Sequence, residues 1–193
     1  MTACPTLVTE RLILRPLEES DLDDYFELLS TPEVSRALHL PDPVSRTDAW
    51  FTMAQWRGQW ELRGSGQWAV EERSTGSFVG RAGLHRPERP DWPGLEVGWA
   101  LHPRHWGKGY ATEAGASSIA YAFEVIGVDA VVSVILPEND RSQAVASRLG
   151  LVLVEERVLS SFPSAPHGIW RIGREEWLRS GAPHPGRDSN GPL

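Results

Sequence analysis

The sequence predicts a mixed α/β fold on a central sheet, and three observations carry that prediction. Leu95 to Ala111, LEVGWALHPRHWGKGYA, runs a strand pattern into a turn bracketed by Gly107 and Gly109, then into a helical pattern from Tyr110 to Ile126. Asp129 to Leu136, DAVVSVIL, is apolar on both faces and rich in β-branched residues, as a central strand is. Strand and helix patterns alternate along the rest of the chain.

Each element has its own signal. Thr9 to Pro16 sets Leu12 and Leu14 against Arg11, Ile13 and Arg15, an opening strand. Glu18 to Leu29 places Leu22, Tyr25, Phe26 and Leu29 at helical spacing. Thr31-Pro32 caps a short helix ending near Leu38, and Pro41 and Pro43 break the chain. Ser45-Arg46-Thr47-Asp48 reads as a capping box with Asp in place of Glu, opening a helix to about Leu62 that Gly64 to Gly66 terminates. Gln67 to Glu72 and Ser77 to His85 form a hairpin around Ser74-Thr75-Gly76. Arg86 to Pro93 is a proline-rich loop. After the central strand come a helix from Asn139 to Leu149 closed by Gly150, strands at Leu151–Leu159 and Gly168–Ile172, and a helical turn at Glu175–Arg179. Residues 1–180 read as one domain, and 181–193 are expected to form a mobile tail for want of apolar surface.

Composition narrows the function. Of 193 residues, 40% are hydrophobic and 23% charged, an ordinary soluble balance with no membrane-spanning run. The N-terminus lacks the basic-then-apolar layout of a secretory signal. A lone Cys4 excludes an internal disulfide or a cysteine-held metal, and fits a reducing cytoplasm. The net charge of −7 argues against a broad nucleic-acid surface and suits amine-bearing substrates. His102 and His105 lack a third ligand, so no metal is expected. Most of the nine tryptophans belong to the core, with one or two left for a substrate wall.

The strand–turn–helix segment has a chemistry of its own. Glycine lets the backbone approach an anion closely, and the first amides of a helix point outward with no intrahelical acceptor. The spacing Arg104-x-x-Gly107-x-Gly109 resembles the acetyl-CoA signature of the GNAT N-acyltransferases, Gln/Arg-x-x-Gly-x-Gly/Ala. Asn139-Asp140-Arg141-Ser142 and Ser147-Arg148-Leu149-Gly150-Leu151 resemble segments of the ribosomal-protein N-acetyltransferase (Rim-type) branch. So do the opening Thr9-Glu10-Arg11-Leu12-Ile13-Leu14-Arg15 and the late Gly173-Arg174-Glu175-Glu176-Trp177. The resemblance spans about residues 9 to 178.

That resemblance implies a GNAT fold: about seven strands and four helices, with two central parallel strands, Leu95–Leu101 and Asp129–Leu136, splayed apart around the acyl-CoA arm. It implies acetyl-CoA as co-substrate, its pyrophosphate on the amides of His105, Trp106, Gly107, Lys108, Gly109 and Tyr110. Arg104 holds the first motif position and Lys108 a variable one. A backbone N–H near Ala100 or Leu101 is expected to face the developing oxyanion. Asn139 is expected to bond the cofactor arm, cap its helix, or both. The tyrosine that protonates the leaving thiolate in many relatives corresponds to Ala146 here, so Ser142 is the candidate donor. Glu96 is the first candidate for the base, since a carboxylate desolvated on an apolar strand can accept a proton near neutral pH; His85 and His167 are alternatives. Glu113 is expected to be structural. Trp56, Trp92 and Phe162 are expected to line an acceptor pocket walled by the first two helices, the Arg86–Pro93 loop and a Ser160–His167 loop. The implied activity is acetyl transfer to a primary amine, on a protein N-terminus or a small molecule. A non-catalytic acyl-CoA-binding module is the alternative, and homodimerisation stays open.

Overall fold

The computed structural model describes residues 4–180; the expected C-terminal tail lies outside them. Fourteen helices and strands, besides short 3-10 and π-helical turns, are formed by the described residues. In order they are β1 (Leu7–Val8), β2 (Leu12–Arg15), α1 (Leu22–Ser30), α2 (Pro32–Ala37), α3 (Arg46–Arg63), β3 (Gln67–Glu72), β4 (Ser77–His85), β5 (Glu96–Leu101), α4 (Tyr110–Tyr121), β6 (Ala130–Ile135), α5 (Asp140–Arg148), β7 (Val152–Leu159), β8 (Phe162–Gly173) and α6 (Arg174–Arg179). The strands form one sheet in the order β1-β2-β3-β4-β5-β6-β8-β7. The two-residue β1, paired to β2, makes eight strands rather than about seven.

Local signals set several boundaries. The Ser45 hydroxyl accepts the Asp48 amide at 3.1 Å while Asp48 accepts the Ser45 amide at 2.9 Å, so the shorter acid completes the capping box. Gly64, at φ 64°, closes α3 in the left-handed conformation. The expected helix to Ile126 loosens into a π-helical turn at Ala122–Ile126 before Gly127.

The Ser160–His167 segment differs from expectation. It is not a loop: Phe162 to His167 extend β8 and pair with β7. Pro163 and Pro166 hid this strand. They fit because β6 pairs only with Gly168–Gly173, so the first half of β8 has no partner on that side to miss a proline N–H.

Two cores cover the two faces of the sheet. Leu12, Leu14, Trp68, Leu84 and Val97 pack beneath α4 with Ala114 and Ile119. On the other face Ala69, Phe78 and Ala100 pack beneath α1 and α3 with Tyr25, Met53 and Trp56. Alternation along the strands therefore sends Val97 and Leu101 toward α4, and Glu96, Gly98 and Ala100 toward α1 and α3.

The parting of β5 and β6 creates the site. Their parallel register rests on one pair, Glu96 with Val132, and the Val132 amide donates to the Leu95 carbonyl at 2.9 Å. Antiparallel pairing to β4 meanwhile runs the whole length of β5, from Glu96 to Leu101. The edge of β5 beyond Val97 thus opens toward the gap.

Candidate active site

The turn after β5 builds a cradle of amides. Pro103 starts a 3-10 turn in which the His105 amide donates to His102 at 2.8 Å and the Trp106 amide to Pro103 at 3.0 Å. The amides of His105 and Trp106 are therefore taken within the protein, which corrects the expectation that the cradle begins there. It begins at Gly107. The amides from Gly107 to Thr112 have no acceptor among the described residues, and the first helical bond comes from Glu113 to Gly109 at 3.0 Å. Gly107 and Gly109 sit at φ 76° and 81°, which turns the chain sharply into α4. A helix N-terminus alone favours an anion by about 0.3–1 kcal/mol, whereas each charge-assisted hydrogen bond is worth about 1.5–3 kcal/mol. The row of free amides is thus the stronger attraction.

Side chains around the cradle have separate tasks. Arg11 binds Glu113 through Nε at 2.7 Å and the Lys108 carbonyl through Nη1 at 2.8 Å. Glu113 also accepts the Thr9 hydroxyl at 2.6 Å, so its charge is tied into the scaffold, as expected. Lys108 lies over the Tyr110 ring, with Nζ 5.7 Å from its centre. The Tyr110 hydroxyl donates to Glu72. Arg104 turns away to Glu27 on α1 at 3.3 Å. His105 is buried, and burial together with Lys108 and Arg104 holds its pKa below the usual value. The Trp106 indole donates to the Leu101 carbonyl at 2.7 Å while the Arg141 guanidinium covers its ring at 4.4 Å. This contact ties the end of β5 to the start of α5.

Across the gap, Asn139 caps α5 by accepting the Ser142 amide at 3.1 Å. The Ser142 hydroxyl has no partner among the described residues. Ala146, at the position of the usual tyrosine, is fully buried.

Glu96 stands where the parallel ladder ends. Its Oε1 accepts the Val134 amide at 3.3 Å, a group the parting strands would leave bare, and its Oε2 lies 3.3 Å from His85 Nδ1. Both side chains are largely buried. His85 Nε2 has no hydrogen-bond partner among the described residues, so the ring presents a second nitrogen beyond its carboxylate contact. His85 packs edge-on against Trp56 with ring centres 4.9 Å apart, and lies 5.9 Å from Trp92.

An aromatic and histidine cluster closes the far side. Phe162 stacks on His39 at 4.5 Å and on His167 at 4.7 Å, and meets Trp92 at 6.1 Å. His39 Nε2 and His167 Nε2 are 2.9 Å apart. Burial lowers the pKa of both, so at neutral pH one ring donates and the other accepts. Trp92 and Phe162 therefore converge. Trp56 is buried behind His85, its indole held by the Tyr25 hydroxyl at 3.0 Å. Sequence reasoning missed His39, which reaches the cluster from a residue at φ 54° after α2. No pattern in the sequence places it beside His167.

Known proteins carry the same design. Residues 11–152 match the acetyltransferase (GNAT) domain family. The chain is 31% identical to the FsC-acetyl coenzyme A-N(2)-transacetylase of Aspergillus fumigatus, over 94% of this chain and 81% of that protein. It is 27% identical to the uncharacterized N-acetyltransferase YoaA of Bacillus subtilis, over 76% and 82%. The acetyltransferase structure from Agrobacterium tumefaciens superposes with a TM-score of 0.77 at 32% identity, covering 88% of this chain and 95% of that one. The chain belongs to the GNAT acetyltransferase family. It is an acetyl-CoA-dependent acyltransferase, which sets aside the non-catalytic binding module.

Proposed function

We propose that the chain moves an acetyl group from acetyl-CoA to a primary amine by direct attack while both substrates are bound. The observation that carries this reading is the row of free amides from Gly107 to Thr112, directly after the strand whose edge faces the gap. Those amides suit a diphosphate, with Lys108 and Arg11 adding positive charge. The bound thioester supplies the electrophilic carbonyl.

This chain's residues do the rest. Glu96, with His85 beside it, takes a proton from the acceptor's ammonium, and the neutral amine then attacks the thioester carbonyl. A backbone N–H near Ala100 or Leu101 faces the oxygen as its charge develops. Ser142, which matches the serine of the Rim-type resemblance, protonates or positions the leaving thiolate. An ordinary thiol pKa of about 8.5 makes that last demand modest, which accommodates Ala146 in place of a tyrosine. The acceptor enters between Trp92, Phe162 and the His39–His167 pair.

The Rim-type resemblance favours a peptide N-terminus as acceptor, and a small-molecule amine is the alternative. The setting we favour is cytoplasmic. No helix among the described residues is long and apolar enough to cross a membrane, and burial pushes the Cys4 thiol up to about 12, which leaves it inert. A thiol-release screen of amines, amino-acid amides and short peptides with acetyl-CoA tests the reaction. The reading requires amine-dependent release that Glu96→Gln suppresses; coenzyme A binding with no release for any amine contradicts it.

A further inference from the structure

Arg81 is a buried charge that the reaction above does not use. It lies on β4, is 7% exposed, and makes no salt bridge among the described residues. Its contacts are all neutral. Nη1 donates to Gln67 Oε1 at 2.9 Å, and the guanidinium covers the Trp56 ring at 5.0 Å. Its Nε is buried with no hydrogen-bond partner among the described residues. The carboxylates on this face are engaged elsewhere, Glu96 with His85 and Glu71 with Arg15. Arginine cannot shed its proton, and an uncompensated buried cation is costly. A fold retains such a group at a cost unless something else supplies the counter-charge.

The surroundings say what that is. On β4 and β5 the directly opposed pairs are His85 with Glu96, Gly83 with Gly98, and Arg81 with Ala100. These alternate residues point to the α1 and α3 face. Gly98 leaves a bare floor on β5 between Glu96 and Ala100, whereas Gly83 beside it lies tight against the Gly66 carbonyl and Gln67. A methyl group built on Gly98 meets only the Gln67 Nε2, at 3.9 Å, so the floor is uncrowded there and bordered by that amide. Trp56 spans the floor, with the Arg81 guanidinium carbon 5.0 Å and the His85 ring centre 4.9 Å from its indole.

We propose that the acceptor carries a carboxylate as well as its amine, with the amine at Glu96 and His85 and the carboxylate over Gly98 against Arg81 and Gln67. The inference rests on the acetyl-transfer reading and names the substrate class for that pocket: an amino acid or a compound with the two groups similarly spaced. Arg81 supplies the charge and Gln67 Nε2 a second donor.

The test uses the full chain, acetyl-CoA and matched acceptors: glycine, β-alanine and L-phenylalanine, each against its carboxamide. The expected result is a kcat/KM preference for the acid of about tenfold or more in at least one pair, from the charge-assisted bonds the amide cannot form. Arg81→Met should bring that preference close to one and leave coenzyme A affinity unchanged. It replaces an unpaired buried charge with an apolar chain, so its melting temperature should equal or exceed the parent's. Amides used as well as the acids overturn the inference and leave the transferase reading standing. A marked fall in the melting temperature of Arg81→Met marks a structural arginine and also overturns it. No thiol release from any acceptor counts against acetyl transfer itself, and the inference falls with it.

Discussion

The two halves of the proposed active site are made differently. The cofactor half is backbone: the amides of Gly107 to Thr112, contiguous in sequence and shaped by two glycines at positive φ. The acceptor half is side chains gathered from far apart, with His39 after α2, His85 on β4, Trp92 before β5, Glu96 on β5, and Phe162 and His167 on β8. A pyrophosphate is the same in every acyl-CoA, so a fixed backbone cradle serves it. An acceptor varies, and side chains can be exchanged without disturbing the sheet. The comparison predicts that lesions in one half leave binding to the other intact.

Glu96→Gln should have the largest effect. Its amide oxygen can still accept the Val134 N–H, so the junction of β5 and β6 survives while the base is lost. We expect kcat/KM to fall about a hundred- to ten-thousand-fold with coenzyme A affinity unchanged. An unaltered pH–rate profile would remove Glu96 from the role of base.

Next is Gly109→Val. A β-branched residue at φ 81° is strained, and its Cβ would lie 3.3 Å from Arg11 Nη2. Strain and a lost phosphate contact together suggest coenzyme A binding weaker by about a hundredfold, read by calorimetry. Acceptor KM at saturating acetyl-CoA, where it can be reached, should not move.

Ser142→Ala comes third. Because a thiolate leaves without much help, we expect turnover to drop less than about tenfold. The loss should grow below neutral pH if the serine delivers the proton, and an unchanged rate at every pH assigns Ser142 to the scaffold.

The smallest effect concerns stability. His39 and His167 have folded pKa values held below their ordinary 6.5, first of all by burial. A depressed histidine contributes stability that is complete above the unfolded pKa and is lost as pH falls through the interval down to the folded one. Melting temperature should therefore decline as pH drops from 7 to about 5. His39→Phe, which keeps the stack on Phe162 and abolishes one titration, should flatten that slope.

The same division explains what could be read in the sequence. The cradle was legible because strand, turn and helix are neighbours in the chain and glycine spacing states the backbone conformation. Even there, the 3-10 turn started by Pro103 shifted the free amides from His105 to Gly107. The capping box of α3 was legible for the same local reason. The acceptor pocket was legible only in part. Glu96 and His85 could each be named, but their pairing depends on the β4–β5 register. Trp92 and Phe162 could be placed near the pocket, but not the strand that carries Phe162, since two prolines disguised it. His39 gave no signal, because its position follows from long-range packing. Arg81 did leave a trace: a lone guanidinium among the small and apolar residues of FVGRAGL, in a strand headed for the interior.

Isothermal titration of the full chain with coenzyme A, beside Gly109→Val, tests the central claim most directly. The account predicts saturable binding to the parent that the variant weakens by about a hundredfold while its fold remains intact. No heat from the parent, or equal affinity in both proteins, would show that the amides after Gly107 do not hold the diphosphate.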